Sequence, residues 1–401
     1  MKLKTGILIL LSGIALSSPA QDMNDLIRRS AARLENGQYS SAAELCREAL
    51  STDKDYRLYL IMADAQLAMG LSSEAEDLYQ KASNIVDGAG DFGLAIIYAD
   101  RNDPQKMVYH LEKHLRSPFK KTESEILLND HFTSLQSSME WKNLWKRSWY
   151  TELEKGLSEA LYLIENSRLE ELEHLENNLL PLYSDKPSMQ YLQGLVSMAH
   201  GDIRGAQDKI RKSISEGYIN PGAYLNFIDI LIKDRNYAEA ANISEKANEL
   251  FPSESLFVLK LAESNRLLGD RDRAAELVKY YLFLYPDSEA GLSMAGQISN
   301  EKRSYSEALK YFTRSIDLYP GNADHYIDRA DVYSRTQTWQ YAITDYSMAL
   351  DLDPGNGDVY YKKGSALLRI GNIDDACRDF RMALKYGNKK AASEINKHCI
   401  R

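Results

Sequence analysis

Residues 323–356, ADHYIDRADVYSRTQTWQYAITDYSMALDLDPGN, decide how the whole chain is read. Tyr326, Ala330 and Tyr333 fall on one stripe of a first amphipathic helix, and Ala342, Tyr346 and Ala349 on one stripe of a second. The small residues let two helix backbones approach, and the tyrosines fill the space beside them. Pro354 lacks an N–H and disfavours helix in the residue before it, so the second helix must end there. The same grammar returns every 34 residues. Stepping back from Pro354 reaches Pro320 and Pro286, with Pro252 and Tyr218 in that slot of earlier frames. The slot of Ala342 holds Ala376, Ala308, Ala274, Ala240 and Ala206; the slot of Ala330 holds Gly364, Gly296, Ala262, Ile228 and Gly194. Six frames thus run in register over residues 187–390, which is the signature of stacked helical hairpins.

These slots resemble the tetratricopeptide repeat family, whose pattern is an aromatic or Leu, a Gly or Ala, a Tyr, an Ala, a Phe, an Ala and a Pro. The frame from Glu289 reads Leu292, Gly296, Ser299, Ala308, Phe312, Ser315 and Pro320, departing at the third and sixth slots. The frame from Gly357 reads Tyr360, Gly364, Leu367, Ala376, Phe380, Ala383 and Asn388. The resemblance implies an all-α, right-handed α-solenoid in which each hairpin covers the apolar face its neighbour leaves open. It also implies a concave groove lined by the first helices, with a polypeptide as partner. The groove positions are Tyr191, Asp229, Glu263, Arg266, Gln297, Asn300, Asp324, Asp328, Asp331, Arg335, Lys362 and Arg369. The Lys and Asn of the family's carboxylate clamp are absent, the corresponding pairs being Tyr191/Leu195, Leu225/Asp229, Leu259/Glu263, Ser293/Gln297, Ile327/Asp331 and Tyr361/Ser365. Asp324, Asp328 and Asp331 instead form an acidic patch suited to a basic or amide-rich segment, or else serve as solubility charge.

Residues 1–20 read as a secretory signal peptide. Lys2 and Lys4 precede a short apolar run at residues 7–16, and Ser18-Pro19-Ala20 offers a small-residue cleavage site. The expected location is therefore the periplasm, with secretion or a eukaryotic lumen as the alternative. A net charge of -9 argues against a general nucleic-acid binder. Export gives the three cysteines weight. Cys46 falls in the slot of Tyr346 and is expected as a buried thiol. Cys377 and Cys399 lie eleven residues either side of Asn388, so an antiparallel pair of helices would bring them level, as a disulfide or as two thiols.

Before residue 187 the grammar wears thin. An N-terminal array is expected over residues 22–115, as two to three hairpins with the third degenerate. Residues 151–186 form a worn hairpin and residues 391–401 a capping helix. Between the first array and the worn hairpin, residues 116–150 carry Trp141, Trp145 and Trp149 at helical spacing, predicting one helical stripe: a joint between arrays, or an exposed aromatic anchor for a partner or a membrane surface. His110 and His114 share a helix face, but no third ligand accompanies them, so a surface pair without metal is expected. No phosphate-cradling glycine loop, Gly-x-Ser-x-Gly or Cys-x-x-Cys occurs, and no cofactor site is legible. The expectation is a non-enzymatic scaffold or adaptor in an envelope assembly, or an accessory subunit of an envelope enzyme or secretion machine.

Overall fold

The structure, a computed structural model, describes residues 19–399, which contain helices and turns and no strand. The expected signal peptide lies outside the described residues but for Pro19 and Ala20. Among the described residues no helix is long and apolar enough to cross a membrane. The chain divides into two compact units between Trp149 and Tyr150.

The N-terminal unit holds three hairpins: α1 (Pro19–Glu35) with α2 (Tyr39–Ala49), α3 (Tyr56–Ala68) with α4 (Ser72–Ile85), and α5 (Asp91–Asp100) with α6 (Pro104–Arg116). Two short helices follow, α7 (Glu123–Leu127) and α8 (Met139–Leu144), with a 3-10 turn at Asp130–Leu135 between them. This segment packs back onto α5 and α6, burying Ile126, Phe132, Leu135, Trp141 and Leu144.

The expected tryptophan stripe is not one helix. Ser138 caps α8 by accepting from Trp141 N, and the helix stops after Leu144. The Trp149 indole N–H then donates to the Leu144 carbonyl at 2.8 Å, satisfying an acceptor that the helix end leaves open. Trp141 is buried against Phe132 and Trp145, with ring centroids 5.7 Å apart in both pairs. Trp149 is half-buried between the guanidinium groups of Arg116 and Arg147. The three rings do not form an exposed aromatic anchor.

The C-terminal unit begins with α9 (Glu152–Glu165) and α10 (Leu169–Tyr183). Six regular hairpins follow: α11 (Pro187–Ala199) with α12 (Ile203–Ser215), α13 (Pro221–Lys233) with α14 (Tyr237–Leu250), α15 (Leu256–Leu268) with α16 (Arg271–Leu284), α17 (Glu289–Glu301) with α18 (Tyr305–Leu318), α19 (Ala323–Arg335) with α20 (Trp339–Leu352), and α21 (Gly357–Arg369) with α22 (Ile373–Lys385). The last helix, α23 (Ala391–His398), lies against α22.

The hairpin boundaries repeat for local reasons. Asn220, Ser288, Asn322 and Asn356 precede first helices, and each side chain accepts a backbone N–H of the first turn. The turn inside each hairpin needs one left-handed residue, and Gly201, Arg235, Gly269, Arg303, Gln337 and Gly371 fill it at 34-residue steps with φ between 60° and 99°. Within a hairpin, the small slot of the first helix faces one residue of the second. Ile210 fills the space above Gly194, Phe312 that above Gly296, and Phe380 that above Gly364. In the second hairpin the sizes are exchanged, with buried Ile228 on α13 and buried Ser244 on α14. Each layer thus keeps roughly one large and one small residue, as close packing requires.

Candidate functional site

Within the C-terminal unit, α13 approaches α15, α15 approaches α17 and α17 approaches α19 more extensively than successive second helices approach one another. The first-helix face is therefore the shorter, inner one. The predicted groove residues lie on these helices, and the structure brings most of them together in pairs that bridge neighbouring repeats. Asp229 pairs with Lys260 at 2.7 Å, Gln297 donates to Asp328 at 3.2 Å, and Lys362 pairs with Asp331 at 2.7 Å. Each is the same rung, the ninth position of one frame against the sixth of the next. Two further bridges flank the rungs: Asn226 donates to the buried Tyr191 hydroxyl at 3.0 Å, and Arg266 pairs with Glu301 at 2.7 Å. Glu263 joins the Lys260 rung at 3.3 Å. Burial works against the Lys260 charge, but Asp229 and Glu263 outweigh it and hold its pKa above the usual lysine value.

The predicted acidic patch is correspondingly smaller than three free carboxylates. Asp331 is compensated by Lys362 and by the Tyr346 hydroxyl, which donates at 2.6 Å. Asp328 is half-buried; burial raises its pKa, the Gln297 hydrogen bond opposes this, and Asp331 and Asp324 add to it. Asp324 is exposed at the start of α19, and Arg335 is exposed at its end. Arg369, exposed at the end of α21, lies over the Trp339 ring at 5.9 Å. Asn300 Oδ1 is buried without a hydrogen-bond partner among the described residues. What the face offers to a ligand is thus a floor of polar groups bridged from repeat to repeat except at Asn300 Oδ1, an acid at one end of α19 and a base at the other. Scanning neighbouring frames for opposite charges 31 residues apart would have found two of the rungs, Asp229–Lys260 and Asp331–Lys362.

The histidines are not a surface pair. His110 and His114 are both buried between α5 and α6. His110 Nδ1 lies 2.7 Å from Asp91 Oδ1, and the fully buried Asp91 also accepts from Ser83 and pairs with Lys113 at 3.3 Å. His114 Nε2 accepts the Lys121 backbone N–H at 3.1 Å, and burial pushes its pKa down to about 4. With each ring committed to a different protein group, the two do not converge on one ion. Among the described residues no cluster of three or more His, Cys, Asp or Glu could hold a metal.

Cys46 is a free, fully buried thiol whose pKa burial pushes up to about 11, which makes it inert. Cys377 on α22 and Cys399 after α23 are joined as a disulfide, with Cα atoms 5.6 Å apart.

The tetratricopeptide repeat family profile matches residues 294–357, from α17 into α21. A search of curated proteins finds no match. Among solved structures, a chain of the APC/C hetero-tetramer Cut9-Hcn1 superposes with a TM-score of 0.51 at 14% identity, covering 96% of this chain and 97% of that one. A tetratricopeptide repeat protein from Parabacteroides merdae gives 0.51 at 17% identity, covering 61% of this chain and 98% of that one. At such identities the likeness concerns the fold alone. The profile match and the in-register hairpins identify tetratricopeptide repeats in this chain, an all-α fold of stacked helical hairpins.

Proposed function

We propose that the chain is an exported, non-enzymatic scaffold that takes an extended polypeptide along the first-helix face of its C-terminal repeats, within a cell-envelope assembly. The observation that carries this reading is the face itself. Six first helices present an inner surface whose central polar and charged groups are bridged from repeat to repeat. A surface with its polar groups held in place loses little side-chain entropy when a ligand arrives. A compensated floor between Asp324 and Arg335 favours a segment offering amide and mixed polar groups over a run of one charge. Export is supported by the basic-then-apolar opening of the sequence and by the Cys377–Cys399 disulfide, a bond that persists in oxidising compartments.

Affinity capture from the source organism's envelope extract tests the reading. The wild-type chain is expected to retain one stoichiometric polypeptide. Asp324→Ala with Arg335→Ala and Arg369→Ala should lose it, while Met348→Ala on the exposed side of α20 should not. Retention by the triple variant would move the site off this face.

A further inference from the structure

The C-terminal cap is held in an unusual way. Helix α23 has eight residues, and only Ala391 of it is buried. Helices this short are marginal without tertiary support. Its start is anchored by Asn388, which donates to Asp358 at 2.7 Å and accepts from Lys390 N at 3.0 Å. Its far end rests Ile395 and Cys399, both half-buried, on the apolar cluster of Leu367, Ala376, Phe380 and Ala383. The disulfide is the strongest tie of that far end to α22.

This bond is also accessible. A cleft of about 490 Å³ opens onto it, lined by Arg378, Arg381, His398 and Asp374 beside the two cysteines. Cys377 is buried and Cys399 half-buried, so an incoming nucleophile meets the Cys399 sulfur first. Arg378 is engaged by Asp375, whereas Arg381 and Asp374 form no ion pair among the described residues and place one positive and one negative charge on the cleft lining, Arg381 being the unpaired cation. Positive charge beside a sulfur favours its departure as thiolate.

We propose that the Cys377–Cys399 disulfide is a dithiol-exchangeable latch, whose reduction in the native fold frees residues 395–399 from the end of the repeat array. A thiolate of an external dithiol attacks Cys399 Sγ, the S–S bond breaks, and Cys377 Sγ leaves as thiolate into the cleft beside Arg381. The dithiol's second thiolate then displaces Cys399 Sγ from the mixed disulfide. Two electrons pass from the dithiol to the protein, its two protons end on Cys377 and Cys399, and the dithiol becomes a disulfide. Reduction uncovers the apolar cluster beneath Ile395 and opens the C-terminal edge of the array.

The test uses the full chain and dithiothreitol, with alkylation and peptide mass spectrometry to report each cysteine. Cys46, buried and inert, should stay unlabelled and serves as the internal control for folding. In native buffer the disulfide should reduce within about tenfold of its rate in denaturant. Arg381→Ala should slow native reduction about threefold, and Arg381→Lys should restore it. Hydrogen exchange of residues 395–399 should accelerate about a hundredfold on reduction, while α19–α21 stay unchanged. The Cys377→Ser, Cys399→Ser double variant should match the reduced protein in exchange. Reduction seen only in denaturant, or exchange at 395–399 unmoved by reduction and by the double variant, would overturn the proposal.

Discussion

Adding one methyl group at Gly296 should destabilise the array, while the same change at Gly364 should not. A Cβ built on Gly296 meets Cε1, Cζ and Cδ1 of Phe312 at 2.4, 2.6 and 2.7 Å, whereas ordinary contact begins near 3.4 Å. Phe312 is fully buried and its ring has no flexible end to fold away, so it must retreat by roughly 1 Å into packed neighbours. Overpacking of this kind costs about 1–3 kcal/mol. Replacing Gly by Ala within a helix returns about 1 kcal/mol. The net expectation for Gly296→Ala is a loss of about 1 kcal/mol. At Gly364 the nearest atoms are Cε1 and Cδ1 of Phe380 at 3.0 and 3.1 Å and the Ala376 carbonyl oxygen at 3.2 Å, so ring and backbone must each give by only a few tenths of an ångström. There the helix-propensity gain should balance or exceed the clash, leaving Gly364→Ala neutral or stabilising by about 0.5 kcal/mol. Solenoids unfold by parts, so the assay is native-state hydrogen exchange read at α17–α18 and at α21–α22, with urea titration alongside. Phe312→Leu, which costs stability by itself through a cavity, should rescue part of the Gly296→Ala loss, giving a coupling of about 1 kcal/mol. Equal effects at the two glycines, or no coupling, would refute the packing argument.

Other consequences are as direct. Gln337, exposed at φ 60°, should gain about 0.5–1 kcal/mol on replacement by Gly, measured as a rise in urea midpoint, because the left-handed strain outweighs glycine's extra chain entropy. Asp345 binds the Arg329 guanidinium at 2.7 and 2.9 Å in a mostly buried site, so Asp345→Ala should cost about 3–5 kcal/mol, while Arg329→Met with Asp345→Leu should be close to neutral; thermal melts distinguish them. His114 has a folded pKa of about 4 against an ordinary 6.5, so between those values the unfolded chain binds the extra proton. Stability of the N-terminal unit is therefore full above pH 6.5 and falls as pH drops towards 4, by up to about 3 kcal/mol. Fluorescence of Trp141, Trp145 and Trp149 during urea unfolding at two pH values reads this loss, and His114→Leu should flatten it.

The repeat region was legible because its constraints are local and periodic. Pro286, Pro320 and Pro354 end second helices, and the glycine and alanine slots lie where two backbones meet, so spacing alone set the phase. The residues opposite the small slots could also have been paired from the sequence, since Gly296 and Phe312 repeat as Gly364 and Phe380. The first three hairpins and the segment after them gave less away. Spacing shows that His110 and His114 share a face but not that this face is buried, because their partners Asp91 and Lys121 belong to other elements. The tryptophans misled for a similar reason. An i, i+4, i+8 pattern describes one helix only if nothing ends it, and Ser138 and Thr151 each start a new one. The Thr151-x-x-Glu154 capping box was visible in the sequence and already required extended chain just before α9. The predicted groove residues lie on first helices, yet their pairing was hidden, since a repeat position says where a side chain stands and not which neighbour has claimed it.

Photo-crosslinking in intact cells of the source organism bears most directly on binding along the first helices. A photo-reactive residue is placed at Asp324 or Arg335 on the inner face of α19, and separately at Met348 on α20. One crosslinked polypeptide should be shared by the two α19 positions and absent from the α20 position. Crosslinks confined to position 348, or none from α19 while the chain co-purifies with a partner, would contradict a scaffold that binds along its first helices.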